Sequence, residues 1–365
     1  MEITEGHLFM ADLTGYTAYL TDSELQHAGP ILSGLLNAII EEIQPPLEIA
    51  NLEGDAVFFR APPDKFVSGQ TLLEVNERIY FSFAELRRQM IANTTCPCRA
   101  CANIAGLDLK VFAHFGQFQM LELAGRRELS GPDVILLHRM AKTNIREALN
   151  MPSYLLLTKA EADRSGVSDH PVHLAPYSEE FEHFGKVDMV AHDLGAAWTD
   201  CQATAERVYI SKDSALWSGE IEFAGEQLVI WDYLVLPEHK KNWMDMVSVS
   251  AAGGPGDRHG IGTDYHCVHA EADVRFRIID WRPFDYFSAL EVDPLGSGLC
   301  YRETWEIVPA GANWIVRFSV EAPEPGADRS EPATDEERAA IVGLYEAFGM
   351  PMLEGLRSYV TGAEP

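Results

Sequence analysis

Phe9-Met10-Ala11-Asp12-Leu13-Thr14-Gly15-Tyr16-Thr17 places a carboxylate at the end of a short apolar run, His7 to Asp12, that reads as a buried strand. Gly15 permits close backbone approach to a ligand, and the N–H groups that follow Asp12 can face an anion. A second carboxylate stands in Glu53-Gly54-Asp55-Ala56-Val57, between short strands over 47–51 and 56–60 that read as a hairpin. Two carboxylates converging at one sheet edge repel unless a cation sits between them. A divalent metal carrying a polyphosphate resolves that repulsion. In a two-metal site one ion activates an attacking hydroxyl and the other steadies the leaving phosphate.

Working outward, residues 28–44 carry Ile31, Leu35, Leu36, Ile39, Ile40 and Ile43 at helical spacing, and Pro45-Pro46 stops that helix. A second long helix is expected over 67–92. A strand follows from Leu107 to Phe115, and a helix from Gly131 through Met140 to Leu149. The order β-α-β-β-α-β-α is that of a ferredoxin-like core with additions.

The character changes after Leu194, so the chain divides into domains over 1–195 and 196–365. A short strand at 220–223 and a helix over 227–234 precede strand-like runs near 263–270, 273–281, 285–292, 299–307 and 313–320. Thr334 or Asp335 caps a final helix over 336–359, which Gly349-Met350-Pro351 should kink. The class is α+β. The second half reads as a curved antiparallel sheet closed by one long C-terminal helix.

The chain has 365 residues, with 28 Lys+Arg against 56 Asp+Glu and a net charge of −28. Such a surface repels a phosphate backbone, so nucleic acid and anionic membrane are excluded as partners, while a small anion held by a metal is not. The best apolar run, Ile31 to Ile40, is broken by Ser33, Gly34 and Asn37 and falls short of the roughly 18–20 residues that cross a bilayer. The opening residues lack the basic flank of a secretory signal, and six scattered or bunched Cys fit a reduced compartment, so a cytoplasmic location is expected. Gly-x-Ser-x-Gly, Walker-type and His-Glu-x-x-His patterns do not occur.

The pieces around Asp12 and Asp55, with His114-Phe115-Gly116 and Glu128-Leu129-Ser130-Gly131-Pro132-Asp133-Val134 leading to Arg139, occur in an order that resembles the catalytic domain of class III nucleotidyl cyclases, the adenylate and guanylate cyclases. The resemblance implies that Asp12 and Asp55 hold Mg or Mn, and that Arg139 steadies charge developing on the phosphates of a nucleoside triphosphate. It places Leu13, Thr14, Gly15, Tyr16, Asn51 and Glu128 against the nucleotide, Glu128 at the purine-reading position. It also implies a head-to-tail homodimer, in which one chain's aspartates face the other's arginine. Two positions depart from the family. Asn51 replaces the purine-contacting lysine, and Ile135 replaces the ribose-positioning asparagine and cannot hydrogen-bond through its side chain. The metal half is intact and the nucleoside half eroded. The expectation is a cyclase-like nucleotide-binding protein of sensor or regulatory type; the alternative is an active metal-dependent cyclase.

Val229-Ile230-Trp231-Asp232-Tyr233-Leu234, Pro237-Glu238-His239 and Trp243, followed by Gly260-Ile261-Gly262-Thr263 and Asp280-Trp281-Arg282-Pro283, resemble START-like domains, the SRPBCC or polyketide-cyclase-like superfamily. That resemblance implies a helix-grip fold binding an apolar small molecule, which would regulate the first domain. Trp231, Trp243, Tyr265, Phe276, Tyr286, Trp305 and Trp314 are the aromatic candidates to line its cavity. Gly253-Gly254-Pro255-Gly256 reads as a loop at the cavity mouth. His266 and His269 fall on opposite faces of a strand, which argues against a shared metal.

Cys96-Pro97-Cys98-Arg99-Ala100-Cys101 remains. Thiolates so close can converge on one structural zinc, with a fourth ligand from a distant Cys or His or from a second chain; the alternative is three thiols in a connection.

Overall fold

The structure is a computed structural model that describes residues 3–66, 68–123, 126–170, 172–203, 207–244, 246–254, 258–269, 273–292, 297–327 and 329–362. Two compact units divide the chain, Met1–Ala205 and Glu206–Pro365. Each is α+β around one sheet. Among the described residues no helix is long and apolar enough to cross a membrane.

The first unit runs β1 (Ile3–Thr14), α1 (Tyr16–Thr21), α2 (Leu25–Glu41), β2 (Glu48–Glu53), β3 (Ala56–Ala61), α3 (Gly69–Asn93), α4 (Arg99–Ala102), β4 (Asp108–Leu123), β5 (Arg126–Ser130), α5 (Pro132–Met140), α6 (Ile145–Leu149), β6 (Tyr154–Thr158), α7 (Lys159–Arg164), β7 (Ala175–Phe181), β8 (Gly185–Asp193) and α8 (Leu194–Ala203). Its sheet has the order β2-β3-β1-β4-β6-β8-β7, with β5 on β4. The β2-β3-β1-β4 portion is antiparallel and follows the ferredoxin-like βαββαβ connection. β6 joins parallel to β4, and β8 and β7 extend the sheet beyond it.

Side chains alternate across β1. Leu8 and Met10 lie in a core with Phe58, Phe112 and Leu156, covered by Val134, Leu136, Leu137 and Met140 of α5. Alternation puts Asp12 on that same face. The opposite face carries Phe9, stacked on Phe59 at 4.9 Å, and His7, whose Nδ1 lies 2.8 Å from Glu161 Oε1 of α7 with both residues buried.

Two expected elements change. The single helix from Gly131 to Leu149 is two, α5 and α6. Thr143 Oγ1 donates to the Met140 carbonyl at 2.8 Å, closing the first helix with a side chain that competes for its last acceptors. β4 does not stop at Phe115 but continues past Gly116, which pairs with Gly6 of β1. A Cβ on Gly116 would meet the Asp133 carboxylate at 2.4 Å, so this close helix approach needs glycine.

The second unit runs β9 (Trp217–Phe223), α9 (Gln227–Val235), α10 (Pro237–Trp243), β10 (Ser248–Ala252), β11 (Asp264–Val268), β12 (Asp273–Arg282), β13 (Tyr286–Val292), β14 (Leu299–Ala310), β15 (Asn313–Val320), β16 (Glu324–Pro325) and α11 (Asp335–Thr361). Its sheet is antiparallel throughout, in the order β10-β11-β12-β13-β14-β15-β9, with β16 on β14. Thr334 caps α11 reciprocally: its hydroxyl accepts from Glu337 N at 3.2 Å, and the Glu337 carboxylate accepts from Thr334 N at 2.8 Å. α11 continues through Pro351 and packs on β9, α9 and α10. Of the expected mouth loop, Pro255 and Gly256 lie outside the described residues.

Candidate functional site

Strand pairing decides where the two aspartates meet. Asp12 lies opposite Ala56 in β3 and opposite Lys110 in β4. Asp55 is the residue before Ala56, on a turn that Gly54 makes with φ 64°, and its carbonyl accepts a hydrogen bond from Leu13 N at 3.3 Å. Burial holds the Asp55 carboxyl above its ordinary range, and the negative charge of Asp12 pushes it further the same way. The carboxylates are therefore electrostatic neighbours whose repulsion a cation would relieve.

Part of that cation is already in the chain. Lys110 Nζ stands 2.9 Å from Asp12 Oδ2, with both side chains about one-fifth exposed at 19% and 20%. Lys110 also lies 5.8 Å from the Phe112 ring centroid. Tyr154 of β6 approaches from the other side of β4. Burial raises its phenol to about 12, and the Asp12 charge adds to that. A pair of hard oxygen donors, repelling and only partly compensated, suits Mg or Mn.

The remaining residues of this set have varied surroundings. Leu13 is buried in the core. Thr14 has a buried hydroxyl with no hydrogen-bond partner, and Tyr16 opens α1 half-buried. Gly15 has φ 86°, and a Cβ there would lie 2.5 Å from the Gly106 carbonyl oxygen. The close approach that Gly15 serves is thus to the chain's own backbone. Asn51 donates from Nδ2 to Glu53 Oε1 at 2.9 Å, so its amide is engaged within β2. Glu128 is exposed in β5, and Ile135 is 52% exposed on α5. Arg139 is half-buried in the last turn of α5 and, among the described residues, forms no ion pair with Asp12 or Asp55.

Cys96, Cys98 and Cys101 come together with His27 of α2. Their ligand atoms all lie within 4.8 Å of one another. His27 Nδ1 is 3.1 Å from Cys98 Sγ and 3.5 Å from Cys96 Sγ. The Cys101 backbone N–H points at Cys98 Sγ from 3.4 Å, and that bond is the main reason the Cys98 thiol is lowered to about 7.

In the second unit Trp231, Trp243, Tyr265, Phe276 and Trp305 are buried. Trp243 meets Trp305 edge-on at 5.8 Å, Tyr265 stacks on Phe276 at 4.9 Å, and Phe287 lies between Trp231 at 6.1 Å and Trp305 at 6.5 Å. Tyr286 does not join them. Next to inward Phe287 on β13, it takes the opposite face and donates to Asp280 Oδ2 at 2.8 Å. Trp314 is half-buried at the start of β15.

At the centre of the ring set is a residue the sequence reading passed over. Lys240 is 2% exposed, with Nζ 5.1–5.7 Å from the centroids of Phe276, Phe287, Tyr265, Trp243 and Trp305. Burial pushes its amine below the ordinary lysine range. Nearby, Glu291 accepts from Tyr301 Oη at 3.1 Å and from Tyr345 Oη of α11 at 3.3 Å.

Sequence signals existed for two of the missed residues. Lys110 shares its strand phase with Phe112 and His114, and Lys240 lies three positions before Trp243 on one helical face. Nothing singles out His27 before the fold is known.

A family described as "Protein of unknown function (DUF2652)" matches residues 32–149. The chain is 29% identical over 177 residues to "Uncharacterized protein Rv2561/Rv2562" of Mycobacterium tuberculosis (strain ATCC 25618 / H37Rv), covering 46% of this chain and 78% of that protein. Among solved structures it is similar to the guanylyl cyclase Cya2 (12% identity, 52% of this chain and 92% of that one, TM-score 0.41). It is also similar to the adenylyl cyclase CyaB from P. aeruginosa (15% identity, 52% and 95%, TM-score 0.39) and to Ara h 8.0201 (14% identity, 40% and 97%, TM-score 0.31).

Proposed function

We propose that the first unit binds a nucleoside triphosphate through a divalent ion held by Asp12 and Asp55, and that it reads nucleotide more than it turns it over. The observation that carries this is the adjacency of the two carboxylates: Asp12 of β1 lies opposite Ala56, Asp55 stands on the turn just before it, and the Asp12 charge adds to the burial that raises Asp55. A bound Mg or Mn would supply the positive charge that gathers the phosphates. Asp12 and Asp55 would ligate it, with Lys110 giving up part of its contact with Asp12. Asn51, tied to Glu53, and Ile135, without a polar atom, leave base and ribose loosely fixed. Loss of such orienting contacts costs turnover before it costs phosphate binding. Arg139 pairs with neither aspartate of its own chain, as a site completed by a second copy's Arg139 would require. For the second unit the reading is a START-like, helix-grip domain whose aromatic set around Lys240 accommodates an apolar ligand.

The test is calorimetric titration of the full chain with ATP or GTP plus Mn²⁺, with an assay for cyclic product. Binding that Asp12→Asn and Asp55→Asn each abolish, with little cyclic product, supports the proposal. Robust metal-dependent cyclic product makes the chain an active cyclase instead. No nucleotide binding in the presence of Mn²⁺ removes both readings.

A further inference from the structure

We infer that Cys96, Cys98, Cys101 and His27 form a closed zinc site that braces the turn after Asp12. Three thiolates and one imidazole make the soft, four-donor set that zinc takes in tetrahedral structural centres. Tetrahedral ligands at Zn–S of about 2.3 Å lie about 3.5–4 Å from one another. The four ligand atoms here already lie within 4.8 Å of one another, so closure needs only small side-chain shifts. The set is complete within one chain and leaves no open position for a substrate, which makes the centre structural.

The surroundings are built for it. Cys98 caps α4 and receives the Cys101 N–H, which orients its sulfur and spreads its charge. Glu24, just before α2, accepts from Ala100 N at 3.0 Å and ties the same two segments together. Cys201, Cys267 and Cys300 lie outside the cluster.

The site's reach follows from what α4 leads into. The helical turn Asn103–Gly106 continues from α4, and the Gly106 carbonyl abuts Gly15 so closely that a Cβ would sit 2.5 Å from it. Gly15 is the turn residue that follows β1, three positions after Asp12. α1 packs against both α2 and the helical turn Asn103–Gly106. A metal at the cysteines therefore fixes α1, α2 and the chain entering β4 as one body around the turn at Gly15, just beyond the end of β1. The connection puts the cluster far from Asp12 in sequence and close to its turn in space.

The experiment uses the full chain produced without a polyhistidine tag in zinc-supplemented medium. Native mass spectrometry and elemental analysis should find one zinc per chain. Cobalt exchange should give the thiolate-to-metal and visible bands of a tetrahedral three-sulfur site. Cys98→Ser and His27→Ala should each lower zinc occupancy at least tenfold, and Cys300→Ser should leave it unchanged. Far-UV circular dichroism checks that His27→Ala, altered at an exposed position, is folded. Chelation should speed amide exchange over residues 14–19 and 103–107. Zinc below one-tenth equivalent with no cobalt bands overturns the site, as does a disulfide within the cluster or zinc retained by the Cys96→Ser/Cys98→Ser/Cys101→Ser variant. Zinc bound with amide exchange over 14–19 unchanged by chelation overturns the bracing. Loss of nucleotide binding by Asp12→Asn leaves the zinc content untouched, so the two proposals fail separately.

Discussion

Lys110 Nζ lies 2.9 Å from Asp12 Oδ2, straight across the β1–β4 pair, and so occupies ground that a divalent ion would contest. A lysine in that place neutralises Asp12 in the absence of metal and must yield part of its hold when metal arrives. Lys110→Met removes the competitor and leaves two carboxylates repelling. Binding of Mn²⁺ alone should tighten by roughly three- to tenfold, the worth of about half to one pKa unit of interaction. Isothermal titration with Mn²⁺ checks it; an unchanged or weaker affinity would show that Lys110 and metal do not share Asp12.

Asp55 gives the pH dependence. Its folded-state pKa is raised above the ordinary 3.8, by burial first and by Asp12 second. The folded state therefore holds the proton more tightly than the unfolded chain. This favourable term is full below 3.8 and is lost as pH rises through the folded value. Asp55→Asn, which never ionises, should raise the melting temperature of the metal-free protein at pH 7 and do little at acid pH. Added Mn²⁺ should stabilise the parent and not the variant. Calorimetry at a series of pH values reads all three; a variant less stable at pH 7 without metal would contradict the assignment.

The strand phase of β1 made the placement of Asp12 legible, because Leu8, Met10 and Asp12 alternate with His7, Phe9 and Ala11 in the sequence itself. The hairpin holding Asp55 was legible from Gly54 between two apolar runs. The extension through β6, β8 and β7 was not, since a strand such as Tyr154–Thr158, buried along its whole length, shows no alternation to separate it from a helix segment. Its parallel pairing with β4 is a long-range choice that local pattern does not encode. The same limit hid His27, which meets the cysteines only because α2 packs beside α4.

Gly15 and Gly54 separate two kinds of glycine requirement. Both have positive φ, 86° and 64°, but a Cβ at Gly15 meets the Gly106 carbonyl at 2.5 Å, whereas one at Gly54 meets nothing within 4 Å. Left-handed backbone alone costs an L-residue about 1–2 kcal/mol. Overpacking against fixed backbone adds about 1–3 kcal/mol. Gly54→Ala should therefore cost about 1–2 kcal/mol and Gly15→Ala about 2–5 kcal/mol. Urea unfolding followed by far-UV circular dichroism measures both; equal losses would mean the Gly106 contact constrains nothing.

The second unit carries its own titration. Glu291 is buried, hydrogen-bonded to Tyr301 and Tyr345, and lies beside Glu303. Burial raises its carboxyl well above the ordinary 4.5, and the Glu303 charge raises it further. Glu303 is raised by the same burial, while Lys240 opposes the rise and Cys267 stands nearby with its thiol pushed up to about 11. A carboxyl protonated in the fold and ionised when unfolded stabilises at acid pH. That contribution is lost as pH climbs from about 4.5 toward its folded value. The second unit should thus lose stability between pH 5 and neutrality, and Glu291→Gln should flatten that slope, its Oε1 still accepting from one tyrosine while its Nε2 donates to the hydroxyl of the other. Trp217, Trp231, Trp243, Trp281, Trp305 and Trp314 all belong to this unit, against Trp198 alone in the first. Tryptophan fluorescence of the full chain during urea unfolding at several pH values reports it directly. A slope unchanged in Glu291→Gln would place the proton elsewhere in the Glu303–Lys240 group.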